Sequence, residues 1–136
     1  MDGKDGQKEA AEMNSRGILL VAHGSIVPGA EGDVEQLAAF LKKATGVQTV
    51  EIGYLDYTQP SIRDAAEVCT AQGLTDLLVV PYFLTDGYLC KKALRQVREA
   101  LRGTAVNVQE ARPLGGAPEL VDAMLDAVQR ADSQQP

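Results

Sequence analysis

The run Gly17-Ile18-Leu19-Leu20-Val21-Ala22-His23-Gly24-Ser25 decides how the rest of the chain folds. An unbroken apolar stretch from Ile18 to Ala22 describes a strand buried on both faces, which belongs in the middle of a parallel sheet covered by helices. Gly24 lets the backbone turn sharply where that strand ends. His23 then stands at the strand's carboxyl end, the edge at which open α/β sheets place their ligand chemistry. It is the only histidine among 136 residues. An imidazole there can take protons or bind a metal near neutral pH more readily than any other unperturbed side chain. The rival reading is a structural histidine hydrogen-bonded within its own loop.

Working outward, strand and helix patterns alternate. Val34, Leu37, Ala38 and Leu41 follow the i, i+3, i+4, i+7 spacing of an amphipathic helix that ends near Gly46. Val50, Ile52 and Tyr54 alternate with Glu51 and Gly53 as a strand with one less buried face. Ser61 caps a second helix, with Asp64 three residues on and Ile62, Ala65, Ala66 and Cys69 along one side. Leu77 to Phe83 is a second fully apolar strand. A third helix carries Leu94, Val97 and Leu101, and Val106 and Val108 mark a short fourth strand. The last helix starts with Pro118 in its first turn and is expected to bury Val121, Met124, Leu125 and Val128.

Such βα units with short connections predict an α/β fold: an open, four-stranded parallel sheet with helices on both faces. The two apolar strands should be central, giving the order 2-1-3-4 and a switch point between strands one and three. Residues 1–15 lack hydrophobic periodicity and read as a disordered polar tail. Residues 16–131 read as a single domain, and 132–136 as a polar C-terminal tail.

Composition excludes several classes. A net charge of −6 argues against nucleic acid as the main partner, because duplex affinity rests on cations neutralising phosphates. No stretch approaches the roughly 20 apolar residues of a membrane span, and the N-terminus lacks an apolar signal core. Cys69 and Cys90 make no disulfide framework, so a cytoplasmic protein with free thiols is expected.

The loop His23 to Gly32 has neither the Gly-x-Gly-x-x-Gly nor the Gly-Lys-Ser/Thr pattern, and Glu31 and Asp33 would repel a phosphate at the helix start. No organic cofactor is therefore expected. Ser25 lies close to His23, but Gly-x-Ser-x-Gly is missing and residues two apart rarely hold a nucleophile–base geometry. Cys69, on an apolar helix face, reads as core.

Four motifs in order are similar to the small single-domain sirohydrochlorin chelatases, the cobalto-, nickel- and ferrochelatases of cobalamin, coenzyme F430 and sirohaem synthesis. They are Leu20-Val21-Ala22-His23-Gly24-Ser25, Tyr54-Leu55-Asp56 with Gln59-Pro60-Ser61, Val80-Pro81-Tyr82-Phe83-Leu84, and Ala111-Arg112-Pro113-Leu114-Gly115. The resemblance spans about Arg16 to Val128. It implies a half-domain of the chelatase type, a divalent metal (cobalt, nickel or iron) and a tetrapyrrole as substrates, and a homodimer holding the macrocycle in a cleft. By the same resemblance, His23 matches the histidine that binds the metal and helps remove pyrrole protons, and Asp56, a carboxylate where the family has a glutamate, is the second expected catalytic and metal-binding residue.

The chain departs from the pattern at one position. After strand three the family carries a second histidine, and Leu89 stands there. Leucine neither ligates a metal nor accepts a proton, so the site should be weakened. Cys90, Tyr88 or Asp86 are the candidates to compensate, Cys90 through the lowered thiol pKa of a helix start. Ser25, Tyr88, Lys91, Lys92, Arg95 and Arg112, with Arg63 at the start of the second helix as a further one, are candidates to contact a polycarboxylate tetrapyrrole. Against these stand a loop-capping Asp56, a solvated face for Lys91 and Lys92, and a packing role for Cys90. Two functional readings follow: a chelatase acting through His23, and a non-catalytic relative that binds tetrapyrrole or metal. An unrelated flavodoxin-like interaction domain is a third.

Overall fold

The computed structural model describes residues 15–134, so most of the expected N-terminal tail and the last two residues lie outside the described part. Within it, four strands and four helices alternate: β1 (Arg16–Ala22), α1 (Gly32–Thr45), β2 (Thr49–Tyr54), α2 (Ile62–Ala71), β3 (Asp76–Pro81), α3 (Tyr88–Ala100), β4 (Asn107–Glu110) and α4 (Pro118–Ser133). All pairings are parallel and the order is β2-β1-β3-β4, as the apolar runs predict. β1 is central because its side chains are apolar on both faces, and Leu19, Leu20 and Val21 are completely buried.

The two faces are covered by different helices. Leu19, Val21, Leu77 and Val79 meet Ile62, Ala65, Ala66 and Cys69 of α2 and Ala93, Leu94 and Val97 of α3. Leu20, Ala22 and Tyr54 pack against Val34 and Ala38 of α1 on the opposite face. Ser61 caps α2 by accepting the Asp64 N–H on Oγ at 3.1 Å, and Gly46 closes α1 in the left-handed conformation. Among the described residues no helix is long and apolar enough to cross a membrane.

The last helix corrects the sequence reading. α4 starts at Pro118 as expected, but it buries none of its residues. Val121, Met124, Leu125 and Val128 are 68, 64, 53 and 58% exposed. α1 lies over β2 and β1, and on the same face Leu78 and Val80 of β3 stay half-buried. The helix also runs on to Ser133, two residues past the expected domain boundary at 131.

Candidate functional site

The chain leaves β1 through Gly24 at a φ of 94°, and the loop after β2 closes onto it. Leu55 and Asp56 donate their N–H groups to the carbonyls of Ala22 and His23, both at 2.8 Å. The Ser25 N–H donates to Thr58 Oγ1 at 3.1 Å, and the Thr58 hydroxyl donates back to the Ser25 carbonyl at 3.2 Å. Two neighbouring strand ends are thereby stitched together, with His23 and Asp56 adjacent along the seam. The approach is so close that a Cβ on Gly24 would sit 1.8 Å from the Asp56 carbonyl oxygen.

His23 is half-buried. Its imidazole makes no hydrogen bond among the described residues, and its recorded ring contact is the edge of Tyr57, at a centroid distance of 5.8 Å and 74° between planes. A structural histidine would have its nitrogens satisfied by the loop; this one leaves them available. Tyr57 holds its position at a φ of 65°, a left-handed conformation that costs a non-glycine residue roughly 1–2 kcal/mol. Backbone strain of this kind clusters at functional sites.

Asp56 is exposed, and its Oδ1 accepts the Tyr57 N–H at 3.1 Å, which leaves the second carboxylate oxygen without a recorded partner. It therefore caps its own loop and still presents an acceptor beside His23. The Ser25 hydroxyl is engaged locally, accepting the Val27 N–H at 3.1 Å.

A cavity of about 240 Å³ lies on the α1 side of this seam. His23, Ser25 and Thr58 line it together with Glu31, Tyr54 and Tyr82. Tyr82 reaches it from the loop after β3, so the loops after β1 and β3 do meet across the switch point. Tyr54 is 4% exposed and its hydroxyl has no hydrogen-bond partner in the described structure. A buried hydroxyl left in that state costs about 1–3 kcal/mol. Burial raises the Tyr54 pKa, and the negative charges of Glu35 and Glu31 add to the rise. Sequence reasoning passed over Glu31 and Tyr54. Glu31 had a visible signal, since its charge at the loop's end excludes phosphate, and the same charge admits a cation.

The basic residues gather elsewhere on the edge. A second cleft of about 430 Å³, between the start of α3 and the loop after β4, is lined by Lys91, Arg95, Arg98 and Arg112 with Asp86 and Glu110. Arg98 is taken up by a two-pronged pair with Glu110, Nε donating at 2.7 Å, and this bond holds its guanidinium pKa above the ordinary value. Lys91, Arg95 and Arg112 remain facing the cleft. Lys92 lines neither cavity, because successive residues on a helix point about 100° apart. Tyr88, 72% exposed, and Arg63, exposed on the first turn of α2, also line neither.

Cys90 is the clearest correction among the expected site residues. It is 1% exposed within the core shared by α2 and α3. Desolvation raises its thiol pKa, Asp86 and Glu110 add to the rise, and Lys91 opposes it only in part. Burial therefore overrides the lowering that a helix start would supply. Cys69 is likewise core, its thiol pushed up to about 12 by burial and then by Glu51. The expected ligand set of His23, Asp56 and Cys90 does not assemble. Among the described residues no three His, Cys, Asp or Glu side chains are grouped closely enough to hold a metal ion. Leu89 stands 39% exposed in the first turn of α3 and lines neither cavity.

The CbiX family model matches residues 17–131. The sirohydrochlorin cobaltochelatase of Methanopyrus kandleri is 24% identical over 136 aligned residues, covering 84% of this chain and 95% of its own length. The sirohydrochlorin ferrochelatase of Bacillus subtilis is 35% identical over 112 residues, and the match covers 79% of this chain but 42% of that protein. The crystal structure of a CbiX protein from Marinobacter aquaeolei superimposes with a TM-score of 0.69 at 27% identity, covering 88% of this chain and 99% of the other.

Proposed function

Because the chain belongs to the CbiX family, we propose that it inserts a divalent metal ion into sirohydrochlorin or a close tetrapyrrole relative. The observation that carries this reading is His23: half-buried at the sheet's switch point, with both ring nitrogens uncommitted among the described residues and the Asp56 carboxylate on the adjoining loop. Cobalt, nickel and iron are the candidate ions, since each accepts imidazole and oxygen ligands.

The reaction exchanges one metal ion for two pyrrole protons, so the site has to strip water from the ion and remove those protons. His23 ligates the incoming ion and accepts a proton, and Asp56 offers a second, negatively charged acceptor at the same edge. Lys91, Arg95 and Arg112 receive the carboxylates around the macrocycle's rim. Ser25 and Tyr88 are secondary contacts, the first through its backbone and loop, the second as an exposed ring that can lie on a flat ligand. No organic cofactor takes part.

A non-catalytic tetrapyrrole- or metal-binding role is the second reading, and Leu89 in place of the family's second histidine favours it. The two readings separate on one assay. Sirohydrochlorin is mixed with cobalt(II), nickel(II) or iron(II), with and without the protein, and its absorption spectrum is followed in time. Faster appearance of the metallated spectrum supports the chelatase. A pigment shift at the uncatalysed rate supports the binding protein, and no shift at all removes both.

We also place the working unit in the cytoplasm as a homodimer. The exposed stripe Val121, Met124, Leu125 and Val128 supports the dimer, because burying what remains exposed of these four side chains is worth about 4–7 kcal/mol per protomer before the costs of association. Met124→Asp is expected to turn a dimer into a monomer in sedimentation, with the far-ultraviolet circular dichroism of the fold unchanged. A wild type that sediments as a monomer removes the dimer.

A further inference from the structure

We propose that the cavity between the end of β1 and the first turn of α1 is a holding site for the hydrated divalent ion before insertion. Glu31 and His23 are its ligands there, and the Tyr54 hydroxyl takes a hydrogen bond from or to the ion's water shell. This deepens the metal-insertion reading and rests on it.

Three observations meet in this cavity. The first is its charge. Among the described residues, Glu31 is the sole carboxylate of its lining, no lysine or arginine lines it, and Ala22, Ala30 and Val34 make up much of the remaining wall. A single negative charge against low-dielectric walls attracts a cation and turns away the carboxylates of a tetrapyrrole. The second is the Tyr54 hydroxyl, enclosed with its residue 4% exposed and lacking any partner among the described residues. Phenylalanine would fill the same space without that penalty, so the hydroxyl calls for a polar occupant. Ser25 Oγ and Thr58 Oγ1 are already used in the loop and do not supply one.

The third is size. At about 30 Å³ of liquid volume per water, 240 Å³ accommodates a metal ion with its first hydration shell and is too small to enclose a macrocycle. Imidazole nitrogen with carboxylate and water oxygens is a donor set that cobalt(II), nickel(II) and iron(II) accept. It also makes up for part of what Leu89 withholds, because the second protein ligand comes from the residue that precedes α1 instead of from α3.

The test uses cobalt(II) as the probe. The full chain is titrated with the ion alone, without tetrapyrrole, by calorimetry and by the visible absorption of protein-bound cobalt. Wild type, Glu31→Gln, Tyr54→Phe and, as a charge control on α2, Glu67→Gln are compared. Glu31→Gln should bind cobalt roughly tenfold or more weakly, and Tyr54→Phe about threefold more weakly with an unchanged or raised melting temperature. Glu67→Gln should match wild type. In the insertion assay, Glu31→Gln should raise KM for the metal and leave KM for sirohydrochlorin alone. Wild-type cobalt affinity in both Glu31→Gln and Tyr54→Phe overturns the holding site, and so does a wild type that binds no cobalt without tetrapyrrole. Cobalt held through Glu31 by a protein that never accelerates insertion keeps the holding site and sinks the chelatase.

Discussion

His23→Ala is expected to lower the rate of cobalt(II) insertion into sirohydrochlorin by at least about a hundredfold, to the uncatalysed level within measurement. A positioned general base contributes roughly 10²–10⁴ in rate, and the same imidazole is asked to hold the metal. There is no second histidine anywhere in the chain to take over. The variant should still fold. The imidazole is half-buried and makes no hydrogen bond among the described residues, so its removal leaves no orphaned partner and opens only a partly solvated space. An unfolding midpoint close to wild type, beside a lost rate, is the signature of a chemical role. Added imidazole should return part of the rate by entering the vacated space. A variant as fast as wild type would falsify the assignment of His23 and move attention to Asp56. A variant that keeps the pigment shift but loses the rate separates binding of the macrocycle from insertion.

Why His23 was legible in the sequence, and Glu31 and Tyr54 were not, follows from where the information resides. A continuous apolar run points to a strand in the middle of the sheet, so β1 and β3 fall in the centre, although β3 is fully covered on one face alone, and the residue ending β1 falls at the functional edge. Asp56 is found the same way, at the end of β2. Glu31 lines the same cavity as His23 only because the loop between them folds back, and Tyr54 looks like any alternating strand residue until its hydroxyl is found without a partner among the described residues. Both facts are tertiary. The Lys91–Lys92 pair shows a smaller version of this: adjacent letters, but a helical rotation that sends only Lys91 into the basic cleft. For Cys90 two opposing effects were at stake, the helix start and the core, and sequence cannot weigh them; 1% exposure decides for the core. For α4 the periodicity is right and its use is not. A stripe of Val121, Met124, Leu125 and Val128 declares that something must be covered, and cannot say whether by this chain or another.

Gly24→Ala is expected to abolish insertion as completely as loss of His23, by a different route. Two effects combine at this position. With φ at 94°, any L-residue carries a conformational cost of about 1–2 kcal/mol. The new Cβ also falls 1.8 Å from the Asp56 carbonyl oxygen and 3.2 Å from Thr58 Oγ1, both on the opposite loop. An ordinary contact needs nearly twice the first distance, so the two loops must part by more than 1 Å. That displacement breaks the seam in which Asp56 N–H donates to His23 and Ser25 N–H donates to Thr58. Misplacement of about 1 Å between acting groups is enough for a hundredfold loss in rate. Folding stability should fall by about 2–4 kcal/mol, read as an earlier urea midpoint with an unchanged slope. Gly29→Ala is the matched comparison. It lies in the same loop with φ at 83° and nothing within 4 Å of its would-be Cβ, so it carries the conformational cost without the clash. It should lose about 1–2 kcal/mol and keep its rate. If Gly24→Ala and Gly29→Ala behave alike, the close approach of the two loops contributes nothing, and His23 and Asp56 act without the seam between them.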